Sequence, residues 1–154
     1  MENNNDDEID VLNDLVQINN DRIEGYQKAI EDTKNLGSDY QSVFSQMIEQ
    51  SRRYKQELVS IISSKGGDAE RDSTTNSGKI YRVWMDMKSA FAGKSDKSAL
   101  ELCEFGEDAA QKAYKAALEL DDLPVYIREM LEEQQQILKA SHDEIKAFVE
   151  EEEV

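Results

Sequence analysis

Chemistry in this chain would have to come from carboxylates, one histidine and one cysteine. The 154 residues hold 34 Asp and Glu against 18 Lys and Arg, with Cys103 and His142 alone of their types. A nucleophilic Cys103 would need an adjacent base and electropositive surroundings. Glu101 and Glu104 flank it instead and disfavour a thiolate, so core packing is the expected role. His142 and Glu107 are expected on the flanks of two helices that face each other. There they could form a structural hydrogen bond or hold a lone divalent metal. Glu107-Asp108 could equally pair with Arg82. Gly66-Gly67-Asp68 has neither the Gly-Lys-Ser/Thr nor the preceding strand of a phosphate loop, and reads as a helix stop.

Charge and composition narrow the partners. The formal net charge is −16, which opposes nucleic-acid binding because phosphate neutralisation needs surplus Lys and Arg. It also repels acidic membranes, though it could gather divalent cations loosely. One cysteine excludes an internal disulfide and a cysteine-based zinc site. The start, Met1 to Asp7, has no basic and apolar signal-peptide pattern. No apolar run approaches the roughly 18 residues of a membrane span. A single cytoplasmic domain over residues 1–154 is the expectation.

These residues must be positioned by helices, since apolar residues recur at steps of three and four and nowhere alternate with period two. The first helix is expected over about 7–36, with Leu12, Leu15, Val16, Asn19, Ile23, Tyr26 and Ile30 on one face. Gly37 stops it, and Ser38 with Gln41 reads as a capping box. The second spans about 39–64, with Phe44, Met47, Ile48, Ser51, Lys55, Leu58 and Ile62 inward. The third, about 96–120, has an inner face of small residues including Cys103, Gly106, Ala109, Ala110, Ala113 and Ala117, which lets a neighbouring helix come close. Pro124 suits a first helical position, and the fourth helix runs over about 124–149 with Ile127, Leu131, Gln134, Leu138, Ser141 and Ile145 inward. An acidic tail, 150–154, is expected to fray.

A helix of about 25 residues is roughly 37 Å long, and four such stripes close into a bundle. Two connections are short. The third, from Lys65 to Ser95, carries a short helix at about 79–91 and is long enough to cross the bundle. The expected fold class is all-α, a ferritin-like four-helix bundle with a long crossover carrying a short extra helix, preferred on fold precedent over a five-helix up-and-down array without crossover. Trp84 would anchor that extra helix or, if exposed beside Tyr81 and Met85, serve as a partner surface.

An ordered set of short motifs also carries a resemblance. Leu12-Asn13-Asp14-Leu15, Gly25-Tyr26, Gly66-Gly67-Asp68, Arg82-x-Trp84, Gly106-Glu107-Asp108-Ala109, Tyr114, Leu123-Pro124 and His142-Asp143 stand in the order and spacing of a bacterial four-helix-bundle family. That family is labelled domain of unknown function 2383, in the ferritin-like superfamily. The resemblance covers about residues 8–148. It implies the ferritin-like bundle with crossover and no established activity. Where the family carries a His before Arg-x-Trp, this chain has Tyr81.

The superfamily makes di-metal oxidation the sharpest hypothesis. That chemistry takes a Glu from each of two helices and a Glu-x-x-His from each of the other two, all pointing inward. One histidine cannot complete two such motifs, and Lys139 stands three residues before His142. On the second helix Glu49-x-x-Arg52 and Gln50-x-x-Arg53 stand where Glu-x-x-His would, and Arg cannot ligate a cation. At about 100° per residue, Glu24, Glu49, Glu57 and Glu104 all lie off the inner faces. The bundle axis is thus expected to be nearly free of acid, with no catalytic, cofactor or metal-binding residue.

Polar residues expected inside are Asn19, Ser51, Lys55, Gln134 and Ser141. They form either a hydrogen-bonded layer that sets helix register or a pocket for water or a small ligand, with Lys55 free to bring its ammonium out near an end. The leading functional expectation is a non-enzymatic bundle acting through contacts with an unknown protein partner or a second copy of itself. A stress-related role follows from superfamily analogy. The alternative is a di-metal (iron or manganese) oxidase or iron-handling protein, with a divalent metal as cofactor.

Overall fold

The computed structural model describes residues 2–32, 38–67, 80, 99–120 and 123–153. Among the described residues there are four long helices and no strand: α1 (Glu2–Asp32), α2 (Ser38–Ser64), α3 (Ala99–Leu118) and α4 (Val125–Glu153). The fold is an all-α four-helix bundle. None of the described helices is long and apolar enough to cross a membrane.

α1 packs along α2 and along α3, and α3 packs along α4. Hydrogen bonds from Gln134 to Glu57 and from Ser141 to Gln50 join α4 to α2. The order around the bundle is therefore α1, α2, α4, α3. Glu8 meets Lys65 and Arg22 meets Ser51, so α1 and α2 are antiparallel. Asn19 meets Tyr114 and Tyr26 meets Glu107, so α1 and α3 are antiparallel too. It follows that α2 and α3 point the same way.

The helix ends carry explicit stops. Gly66 adopts φ 82°, the left-handed conformation that a side chain resists. Gly66 N–H donates to the Ser63 carbonyl and Gly67 N–H to that of Ile62, both at 3.0 Å, which is the Schellman closure of α2. A Cβ at Gly67 would lie 3.0 Å from Ile9 side-chain atoms, so glycine also lets α1 close on this end. At the end of α3, Arg128 donates from Nη1 to the Leu118 carbonyl and from Nη2 to that of Leu120, satisfying acceptors that the helix itself leaves open.

Several boundaries differ from expectation. α1 begins at Glu2 rather than near residue 7. The intrinsic cost of Asn in a helix is only a few tenths of a kcal/mol, too little to halt propagation from the packed turns beyond it. α4 continues through the acidic tail to Glu153, because Glu is a good helix former. Pro124 stands one place before α4, its carbonyl accepting from Ile127 and Arg128 N–H. The Gln41 amide nitrogen donates to the Ile30 carbonyl of α1 at 3.1 Å. Of the expected crossover helix, 79–91, only Ile80 is described; it is helical and buried, and its N–H donates to Asp14 Oδ2 at 3.1 Å. Trp84, Tyr81 and Arg82 lie outside the described residues.

Among the described residues, two apolar clusters fill the interior. One, at the α1–α2 turn end, gathers Tyr26, Ala29, Phe44, Met47, Ile48 and Ile145. The larger one includes Leu12, Leu15, Leu58, Ala110, Ala113, Leu131 and Leu138. Between them lies a layer that is polar.

Candidate functional site

The polar layer is centred on an ion pair between α1 and α3. Arg22 and Glu107 have side chains only 3% and 1% exposed. Arg22 Nε donates to Glu107 Oε2 at 2.7 Å and Nη2 donates to Oε1 at 2.9 Å, the two-pronged geometry that suits a planar guanidinium and a carboxylate. The remaining nitrogen, Nη1, donates to Ser51 Oγ at 2.6 Å and to the Met47 carbonyl at 3.4 Å. Tyr26 donates its hydroxyl to Glu107 Oε2 at 2.7 Å, and its ring lies 5.2 Å from Arg22 Cζ. Three helices thus converge on one guanidinium. Burial is the largest influence and opposes the charge on Arg22, but Glu107, Tyr26 and Tyr114 together outweigh it and the pKa of Arg22 is raised. Burial, then Glu107, pushes the Tyr26 phenol well above its ordinary value.

A second chain of hydrogen bonds crosses the bundle beside this pair. Asn19 Nδ2 donates to Tyr114 Oη at 3.1 Å and to the Leu15 carbonyl at 2.9 Å. Tyr114 donates to Gln134 Oε1 at 2.6 Å, and Gln134 Nε2 donates to Glu57 Oε1 at 2.9 Å at the bundle's edge. Farther along, Ser141 donates to Gln50 Oε1 at 2.9 Å. Burial raises the pKa of Tyr114, so this phenol stays a neutral donor.

Asn19, Ser51, Gln134 and Ser141 are buried as their helical phase predicts. Lys55 is only half-buried, and Tyr54 takes the inward position beside it. The inner face of α2 is turned by one residue here, which buries an aromatic ring rather than an ammonium. The expectation of an axis nearly free of acid fails: Glu107 is buried, and so is Asp14. Glu24, Glu49 and Glu57 are exposed and Glu104 half-buried, as their phase off the inner face suggests. Gly106 is not a point of close helix approach, for a Cβ there would meet nothing within 4 Å. Cys103 is half-buried against the smaller apolar cluster.

Glu107 and His142 do not meet. Consecutive helical residues point about 100° apart, so Glu107 turns to α1 while Asp108 turns to α4. His142 Nε2 pairs with Asp108 Oδ1, and its Nδ1 lies 3.2 Å from Asp143 Oδ1. Sequence reasoning missed Arg22 altogether. The available signal was a cation four residues before Tyr26, on the edge of an apolar stripe, with Glu107 in an otherwise small-residue helix. Among the described residues, no group of three or more His, Cys, Asp or Glu gathers as a metal site would require.

A four-helix bundle crossed by a buried ionic and hydrogen-bonded layer is the class this geometry defines. The family model described as domain of unknown function (DUF2383) matches residues 7–120, and the chain belongs to that family. The match begins in α1 and runs past the end of α3, so it contains both Arg22 and Glu107. No curated protein matches the chain.

Proposed function

We infer that this protein is a non-enzymatic, ferritin-like helical bundle that acts through protein contacts. The parallel sense of α2 and α3 supports the ferritin-like topology, because one long crossover between them produces it. The observation that carries the functional reading is the Arg22–Glu107 pair. A di-metal bundle directs carboxylate lone pairs at two cations on its axis. Here both oxygens of Glu107 are engaged by a guanidinium that is part of the chain, and one of them also by Tyr26. Arg supplies no lone pair to a metal. The donor set therefore does not fit the di-metal oxidase or iron-handling alternative.

The test is metal analysis of protein purified without chelator. Iron and manganese well below one equivalent per chain are expected. Two equivalents, lost on Glu107→Gln or His142→Ala, would overturn the reading. Contacts between copies are tested by light scattering of the full chain. A stress-related role rests on superfamily analogy, and is checked by whether the protein's abundance rises under oxidative or osmotic challenge.

A further inference from the structure

Among the described residues, two buried polar atoms in the layer have no protein partner: Asn19 Oδ1 and Tyr54 Oη. Their side chains belong to residues only 1% and 3% exposed. An unsatisfied buried amide oxygen or hydroxyl is costly, and native interiors rarely leave one so. The helix register places them together. Glu8 faces Lys65 and Arg22 faces Ser51 across the antiparallel α1–α2 pair. The same register sets Asn19 opposite Tyr54. Both also reach the Tyr114 phenol, Asn19 by a hydrogen bond of 3.1 Å and Tyr54 electrostatically.

We propose that Asn19 Oδ1 and Tyr54 Oη form a binding site for one small neutral hydrogen-bond donor, occupied in solution by a buried water. The chemistry selects the guest. Asn19 Oδ1 is acceptor-only, so the guest must donate to it. Tyr54 Oη can then donate its proton to the guest's oxygen, which a water accepts while keeping one hydrogen for a further partner. A cation is disfavoured because the Arg22 guanidinium, one turn along α1, acts electrostatically on Tyr54, and an anion would have no donor at Asn19 Oδ1. The site is distinct from Ser51 and Gln134, whose polar atoms already have partners. It does not depend on the absence of enzymatic activity.

Oxygen-17 magnetic relaxation dispersion on the full chain tests the guest, and a double-mutant cycle tests the pair. The wild type is expected to show a long-lived internal water whose contribution disappears in Tyr54→Phe with helicity unchanged. Tyr54→Phe and Asn19→Leu are expected to be non-additive, with a coupling of roughly fivefold in the folding equilibrium constant. A relaxation signal that is missing, or that survives Tyr54→Phe, overturns the site. Coupling without the water means a direct hydroxyl-to-amide bond and overturns the guest. The wild-type relaxation measurement decides the matter even where Asn19→Leu does not fold.

Discussion

Glu107 and Asp108 are adjacent residues of the same charge in opposite surroundings. Glu107 points into the bundle, is 1% exposed, and meets Arg22 through two nitrogens while accepting from Tyr26. Asp108 points to the α3–α4 seam, is 46% exposed, and meets His142. The difference shows where an ion pair matters. In the interior, each charge depends on the other, because removing one leaves its partner buried and unpaired. At the seam, water replaces a lost partner at small cost. The interior pair does more to define one arrangement of the helices, since it ties α1 to α3 and, through Ser51 and Met47, to α2.

The sharpest way to break this contrast is Glu107→Leu. It strands the Arg22 guanidinium and is expected to cost about 3–5 kcal/mol in urea unfolding followed by circular dichroism. Adding Arg22→Met to the same chain is expected to recover most of that loss, because a buried pair is often no more stabilising than apolar residues of similar volume. A double variant as unstable as the single one would show that the guanidinium contributes more than charge balance.

A smaller effect appears at high pH. Burial pushes the Tyr54 phenol up to about 12, and burial raises Tyr26 and Tyr114 as well. In the unfolded chain these phenols ionise near pH 10, so unfolding releases protons above that pH and stability falls as pH climbs. For Tyr54 the loss falls between about pH 10 and about pH 12. The Lys65 ammonium acts with the same sign. The Glu8 hydrogen bond raises its pKa, so its stabilisation is complete below its ordinary value and lost as pH rises through the folded one. Thermal melts across this range check the slope, and Tyr54→Phe should flatten it. The smallest effect belongs to Asp108→Asn, expected at about 1 kcal/mol or less and further reduced in high salt. A loss there equal to that of Glu107→Leu would erase the distinction between interior and seam.

Much of the bundle was legible in the residues. The stripe Leu12, Leu15, Asn19 and Tyr26 and the stripe Ile127, Leu131, Gln134, Leu138, Ser141 and Ile145 are buried as their spacing requires. The positive φ of Gly66 agrees with its reading as a helix stop. The candidate site was legible only in part. Ser51 and Gln134 were placed inside, but their partners were not, because periodicity assigns a face to one helix and says nothing about the residue that faces it. Glu107 sits on the flank of the apolar stripe of α3 and Arg22 on that of α1. Charges there read as solvated until another charge arrives to pair with them.

By itself, the amino-acid sequence determined the helices and which side of each is apolar, because hydrophobic spacing, caps and glycine stops act over a few residues. Only the tertiary structure decided that Arg22 and Glu107 go inside, that Tyr54 displaces Lys55 from the interior, and that Asp108 rather than Glu107 meets His142. Those outcomes depend on helix rotation and on pairings as distant as the 85 positions between Arg22 and Glu107. A buried charge is tolerable only when its partner is in place, and that condition belongs to the assembled bundle rather than to either helix.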